Sequence, residues 1–475
     1  LVERLLRSVP DCELVLLVRP GRRSTPAQRA RREIFRNNAF DRLANEVGRD
    51  EFWELVERRV TVIGGDVSSD GLGLDDEGRQ AIASCDIVVH SAATVSFDAP
   101  LDLAVEVNLL GATRIVETLT DLDVTPHLVA VSTCYVAGNR RGSAPEQLLT
   151  DSPFHIDVNW RDEVTAARRS RADFDAESRT VDRLEEFRRR ARHEMGAAGT
   201  PLLAAKTEQM RQRWVSDQLV EAGRARAASL GWPDAYAYTK ALGERALVES
   251  RGNVPVSIVR PSIIESAWSE PEPGWIKGFR MAEPIIISYA RGLLKEFPGV
   301  PEGVVDVIPV DLVVAAIIGV AARGPETSDD SVDVTQVASG TRNPLRYRRL
   351  VELVSSWFAE HPLYDQKGQP ISVPEWSFPG RGAVERQLDR AQRNLERADR
   401  ALKLLPLRGK QAMINAGVEE KRELVERASG YVKIYGAYAE CEALYGVTRL
   451  VALHESLSSH DQDQFCSDPA VIDWD

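Results

Sequence analysis

Tyr236-Ala-Tyr-Thr-Lys240 is the stretch of this chain whose residue types and spacing could do chemistry most directly. A tyrosine and a lysine four apart share one helix face, so the ammonium can reach toward the phenol. A nearby cation stabilises phenolate and suits the phenol to giving a proton to a carbonyl oxygen. Of the ten tyrosines, only Tyr236 has a lysine four residues later, and Tyr238 is rotated off that face. Taken alone, the pair reads more readily as a solvated helix face. Thr133 gives it context, because it ends an apolar run in Val131-Ser-Thr-Cys-Tyr-Val136. A hydroxyl there can hydrogen-bond the same carbonyl oxygen. Ser132 is the alternative, since strand alternation turns only one of the two toward a site. The plainer reading of either is a strand-end hydroxyl bonded to backbone.

Reduction of a carbonyl needs a hydride donor, and a second set of residues fits one. Arg19 ends the apolar run Cys12–Val18, where an arginine accommodates a ribose 2′-phosphate and an acidic residue would take a free hydroxyl. Arg22 and Arg23 add positive charge, so the expected cofactor is NADPH. Asp66 and Val67 follow the next run and are placed to meet the adenine. Ser91, Ala92 and Ala93 follow His90 and are small enough to admit a cofactor against backbone. A glycine-rich pyrophosphate turn should sit between the first strand and first helix of such a fold. Leu1–Leu6 instead reads as the middle of a helix, so the chain is expected to be an internal fragment lacking both natural ends.

These residues need a scaffold that brings strand ends together. Apolar runs near 12–18, 60–63, 85–90, 127–133, 256–261 and 305–309 alternate with helical stretches at 26–58 and 101–119. That rhythm predicts an α/β fold, a Rossmann-type doubly wound parallel sheet with ligands at the carboxyl ends of its strands. The expected parts are a cofactor-binding core over 1–143, a helical insertion over 144–232, and the rest of the Rossmann core with the Tyr/Lys pair over 233–320. A mainly helical C-terminal region, with long helices at 383–403 and 417–445, is expected over 321–475.

Composition removes some functions. The formal charge of −12 leaves no excess of cations for nucleic-acid phosphates. Five scattered cysteines without a CxxC pair suggest reduced thiols, a cytoplasmic location and no metal site. The longest aliphatic run, Val313–Ala322, is about half of what crosses a bilayer, which leaves only peripheral membrane contact open.

With Leu16–Arg19, Gly65–Val67, His90–Asp98, Val107–Gly111, Val131–Val136 and Tyr236–Ala241 assembled, the chain resembles the fatty acyl-CoA reductase, or male-sterility, family of extended short-chain dehydrogenase/reductases, especially its bacterial members. Val259–Ser266 followed by Glu270–Ile276 is the most specific part of the likeness. The resemblance implies NADPH-dependent reduction of long-chain acyl-CoA to a fatty alcohol through an aldehyde. Thr133, Tyr236 and Lys240 would be catalytic, and Asn108, Lys240, Pro261 and Ser262 would join Arg19, Arg22, Asp66, Val67 and Ser91–Ala93 around the cofactor. Trp268, Trp275, Ile276, Phe279, Met281 and Ile285–Ile287 are expected along the acyl chain, with Lys277 and Arg280 toward coenzyme A, although the apolar residues among them would equally suit a packed core. Release of the aldehyde, a carrier-protein thioester as substrate, a sugar-nucleotide epimerase and a silent scaffold are the competing readings. A further C-terminal domain or a homo-oligomer is compatible with all of these.

Overall fold

The computed structural model describes residues 1–195, 200–278, 282–292, 296–297, 299–326, 332–365, 367–373, 375–378, 380–404, 436, 438 and 442–475. Its strands, in chain order, are β1 (Leu14–Val18), β2 (Val60–Gly64), β3 (Ile87–His90), β4 (His127–Val131), β5 (Arg141–Ala144), β6 (Val256–Pro261), β7 (Ile263–Glu265), β8 (Val304–Val305), β9 (Val307–Pro309), β10 (Asp333–Val337), β11 (Leu345–Arg346) and β12 (Glu442–Tyr445).

Four of them form an all-parallel sheet in the order β3-β4-β6-β10. β6 is buried along its whole length and β4 nearly so. That is why both read in sequence as unbroken apolar runs rather than alternating ones. Helices Leu110–Asp121 and Ala235–Ser250 supply one apolar layer through Ile115, Val116, Leu119 and Leu247. Helices Val310–Arg323 and Thr448–Ser456 supply the other through Leu312, Ala316, Val320, Leu450 and Leu453. A polar rung crosses the sheet, with His127 Nε2 2.8 Å from Ser257 Oγ, which donates to Asp333 Oδ1 at 2.5 Å. β1 and β2 form a separate parallel ladder over a cluster that includes Phe35, Phe40 and Phe52.

Several elements differ from the sequence expectation. The single helix expected over 26–58 is divided into shorter helices. Thr25 opens one with a reciprocal capping box, Asn37 caps another turn, and Gly48 breaks the path at φ 94°. The mainly helical region expected from 321 is corrected at two points. β10 is a fully buried strand of the main sheet, so that sheet runs past residue 320. Its polar residues hid it: Gln336 is buried because its Nε2 donates to the Ala144 and Gly446 carbonyls. β12 pairs in parallel with β5, burying Ala443 and Tyr445 and exposing Glu442 and Leu444, the period-two pattern of a strand. The remainder of the helix expected over 417–445 lies outside the described residues, apart from Gly436 and Tyr438, which are helical.

Helices Trp160–Ser178, Val181–Met195 and Thr200–Leu230 occupy the expected insertion. Its charges are largely spent on packing. Glu163 pairs with Arg226 and accepts from the buried Tyr238 hydroxyl at 2.5 Å, and Trp160 Nε1 donates to Glu249 at 2.8 Å. These bonds fasten the insertion to the helix that carries Tyr236 and Lys240.

Candidate active site

Helix Ala235–Ser250 begins at Asp234, whose Oδ1 accepts from Ala237 N at 2.8 Å. A capping acid in this position holds the first turn and thereby aims Tyr236. The helix packs beside the end of β4, and the two expected catalytic elements therefore meet. Lys240 is buried, and its ammonium donates to the Val131 carbonyl oxygen at 2.9 Å. Burial lowers its pKa to about 8, with Glu244 acting in the opposite sense. Glu244 is itself locked in a buried two-point pair with Arg260, at 2.9 and 2.6 Å.

Tyr236 is half-buried, and its phenol is raised well above the ordinary value, first by burial and then by the Asp234 charge. A hydrogen bond with the Thr133 side chain pulls the other way. Thr133 is buried and also serves its own backbone. Its hydroxyl donates to the Pro261 carbonyl at 3.3 Å and accepts from Tyr135 N at 3.3 Å, capping the short helical turn Cys134–Ala137. The plainer reading of Thr133, a hydroxyl bonded to backbone, is therefore present, beside its interaction with Tyr236. Ser132 Oγ is buried and has no hydrogen-bond partner among the described residues.

The cofactor candidates gather at the neighbouring strand ends. Ser91 and Ala92 are exposed, and the loop they begin is pinned by Asn108. Its Oδ1 accepts from Thr94 N at 2.8 Å, and its Nδ2 donates to Thr94 O at 3.0 Å and Thr239 Oγ1 at 3.4 Å. The Asn108 amide protons are engaged within the chain, so this residue shapes the loop. His90, at the end of β3, is buried and pushed down to about 3 by burial and by the Lys240 ammonium. It is a neutral wall of the site. Pro261 ends β6, and the adjacent Ser262 is buried near the buried Asp306 carboxylate.

Around the end of β1, Arg19 lies 3.7 Å from Asp66 and is largely exposed. Asp66 Oδ1 accepts from Ser68 N and Oγ, at 2.9 and 2.7 Å, and Val67 packs against the sheet. A recess of about 440 Å³ opens beside Arg19, lined by Gly21, Arg22, Arg23, Ser24, Arg29 and Arg32. Arg29 and Arg32 share Glu33, and with Arg22 and Arg23 they leave the recess a positive excess that suits a phosphate. The residues present therefore fit a nicotinamide dinucleotide along the strand ends. Among the described residues no group of His, Cys, Asp or Glu could hold a metal ion, and no helix is long and apolar enough to cross a membrane.

The expected substrate residues are only partly in view. Phe279, Arg280 and Met281 lie outside the described residues. Trp275 Nε1 donates to Asn38 Oδ1 at 3.1 Å, tying this loop to the layer over β1 and β2, and Lys277 is exposed. Glu270, in the same loop, gathers Arg4, Arg7 and Arg42. Ile285 belongs to a filled cluster with Tyr289, Phe297, Tyr347 and Trp376, which is packing of a small core. Two residues that sequence reasoning did not single out complete the site. Asp234 was detectable as a helix-capping acid next to Pro233. Tyr438, which donates to Asp234, carries no local signal.

The NAD-binding family described as male sterility protein matches residues 1–317. Fatty acyl-CoA reductase 2, chloroplastic, of Arabidopsis thaliana is 28% identical over 100% of this chain and 73% of its own length. Probable fatty acyl-CoA reductase 5 of the same plant is 31% identical over 79% of this chain and 71% of its own. The alcohol-forming fatty acyl-CoA reductase of Simmondsia chinensis is 30% identical over 78% and 70%. Among solved structures, a thiolation-reductase di-domain from an archaeal non-ribosomal peptide synthetase is similar over 99% of this chain and 71% of that one. Its identity is 13% and its TM-score 0.50, a likeness of fold. With a Rossmann-type sheet, a nicotinamide-cofactor site and a Tyr/Lys helix at its strand ends, the chain belongs to the male sterility, or fatty acyl-CoA reductase, family.

Proposed function

We propose that this chain reduces a long-chain fatty acyl-CoA to the fatty alcohol through the aldehyde, using NADPH. The observation that carries the reading is the meeting of Tyr236, Thr133 and Lys240 between one helix and the end of β4. Its relatives named fatty acyl-CoA reductase, including an alcohol-forming one, support the substrate class.

When bound, the nicotinamide supplies the hydride. Thr133 turns its hydroxyl proton from the Pro261 carbonyl to the thioester carbonyl oxygen, with Ser132 as the nearby alternative. Tyr236 gives its proton to that oxygen, which becomes the hydroxyl of a hemithioacetal. Collapse returns that proton to the Tyr236 phenolate as the C–S bond breaks, and the departing thiolate takes a proton from water. Reduction of the aldehyde carbonyl draws its hydride from a second NADPH and its proton again from the Tyr236 phenol. Lys240, largely charged at neutral pH, holds its place through Val131 and lies where a ribose would pass. Arg19 and Arg22 favour NADPH over NADH by meeting the 2′-phosphate. Glu270 and Trp275 fix the loop over which Lys277 would face coenzyme A.

The test is an assay of the purified protein on hexadecanoyl-CoA and on hexadecanoyl-carrier protein, each with NADPH and with NADH. Hexadecanol formed from the coenzyme A thioester with NADPH is the expected result. Accumulation of hexadecanal would make the enzyme aldehyde-forming. Turnover on the carrier-protein thioester alone would replace the substrate, and absence of NADPH consumption on either would overturn the proposal.

A further inference from the structure

Asp234 uses both carboxylate oxygens. Oδ1 accepts from Ala237 N at 2.8 Å, and Oδ2 accepts from the Tyr438 hydroxyl at 2.8 Å, from a residue 204 positions away. Both side chains are buried. The Tyr438 ring meets Tyr135 edge-on at 4.6 Å and Phe97 at 5.2 Å. Tyr135 is the residue whose N–H donates to the Thr133 hydroxyl. One side chain from the C-terminal part of the chain therefore touches both elements that bring Thr133 and Tyr236 together.

We propose that Asp234 and Tyr438 are positioning residues for the reduction: the Tyr438 hydroxyl holds and screens the carboxylate that caps the catalytic helix, so that Tyr236 can release its proton beside that charge. The inference rests on Tyr236 as the proton donor. Transfer of the phenolic proton to the carbonyl oxygen leaves a phenolate two residues from a carboxylate. A bare carboxylate there opposes that step, and its charge indeed pushes the phenol upward. A hydrogen bond from Tyr438 draws off part of the charge, as does Arg224, which acts on Asp234 from the insertion. The N–H groups of Tyr236 and Ala237 complete its surroundings. Tyr438 remains a donor throughout, because burial, Asp234, Tyr236 and Tyr135 all push its own ionisation far upward. Thr133 faces the phenol from the other side, while the Lys240 field falls on His90.

The alternative is packing alone: a helix cap and a ring in an aromatic cluster. Turnover of hexadecanoyl-CoA with NADPH distinguishes them. Tyr438→Phe keeps the ring and should lower kcat about tenfold, the scale of one hydrogen bond to a charged group, with both KM values unchanged. Asp234→Asn keeps an acceptor for Ala237 N and removes the charge. It should lower the phenol's pKa by about one unit and so move down the outer high-pH limb of kcat, the one that lies above the Lys240 ionisation at about 8. In the double variant most of the turnover lost in Tyr438→Phe should return, since the charge that needed screening is gone. Packing alone predicts lowered melting temperatures, no movement of the limb and no return of kcat. An unmoved limb in Asp234→Asn, with Tyr236→Phe inactive, overturns this inference and leaves the proton donor standing. An active Tyr236→Phe enzyme removes the donor assignment first and this inference with it. If Tyr438→Phe does not fold, the limb in Asp234→Asn decides alone.

Discussion

The Lys240 ammonium donates to the Val131 carbonyl oxygen at 2.9 Å, on the strand that leads into Thr133. The lysine thus fastens its helix to the sheet, and its charge acts on His90, lowering that ring's pKa. The charge that acts on the Tyr236 phenol is that of Asp234, with Thr133 in opposition. This divides the work expected of a Tyr/Lys pair: the phenol is governed by its capping acid and its hydroxyl neighbour, and the lysine by backbone.

Tyr236→Phe should abolish reduction while NADPH still binds. Phenylalanine keeps the ring and removes the one proton the reaction draws on. A loss of at least a hundredfold in kcat is expected, the usual scale for a general acid. Fluorescence titration with NADPH checks that binding survives. Turnover within a few-fold of the parent would reject Tyr236 as the donor and point to Thr133 or Ser132.

Arg19→Ala should weaken NADPH relative to NADH. A charge-assisted bond to phosphate contributes roughly 1.5–3 kcal/mol, so the ratio of kcat/KM values should fall about tenfold. Arg22, Arg23, Arg29 and Arg32 line the recess beside Arg19, so Arg19→Ala combined with Arg22→Ala should fall further than either alone. A ratio unmoved in both variants would remove this recess as the reader of the 2′-phosphate.

How much of this was legible in the sequence depended on separation along the chain. β4 and β6 stood out because burial on both faces demands continuous apolar residues. Tyr236 and Lys240 stood out because one helical turn carries both. Thr133 was legible as a strand end. β10 was hidden because its buried Thr335 and Gln336 look like surface residues, and for Gln336 only the distant Ala144 and Gly446 carbonyls explain the burial. The Tyr438–Asp234 bond had no signal for the same reason: no spacing rule joins residues so far apart. Ile285 misled in the opposite direction, its apolar character serving a packed cluster as readily as it would serve an acyl chain.

Glu244 and Arg260 should prove a stability pair. Both side chains are almost wholly removed from solvent. Glu244→Gln leaves the guanidinium uncompensated and should destabilise by about 3 kcal/mol, the lower end for a broken buried pair. Adding Arg260→Met removes the orphaned charge and should recover a large part of that loss. Urea unfolding of the three proteins checks both statements. A single variant as stable as the parent would show that the pair is solvated in solution.

Stability should fall on acidification in a way that His90 helps to set. Burial and the Lys240 ammonium push this ring from its ordinary 6.5 down to about 3 in the fold. The unfolded chain therefore binds a proton that the folded one refuses throughout that interval. Its contribution is full above pH 6.5 and is progressively lost as pH falls toward 3. Asp234 and Glu265 act in the opposite sense, because burial raises them to about 6 and about 7 and the fold takes up their protons first. Comparing the parent with His90→Gln isolates the histidine, since the two carboxyl groups are common to both. Thermal melts at intervals between pH 7 and pH 4 should show a shallower decline in the variant, with the two curves converging at the acid end. Parallel curves would mean that His90 takes up its proton in the folded protein as readily as in the unfolded chain, and the neutral wall beside Lys240 would have to be abandoned.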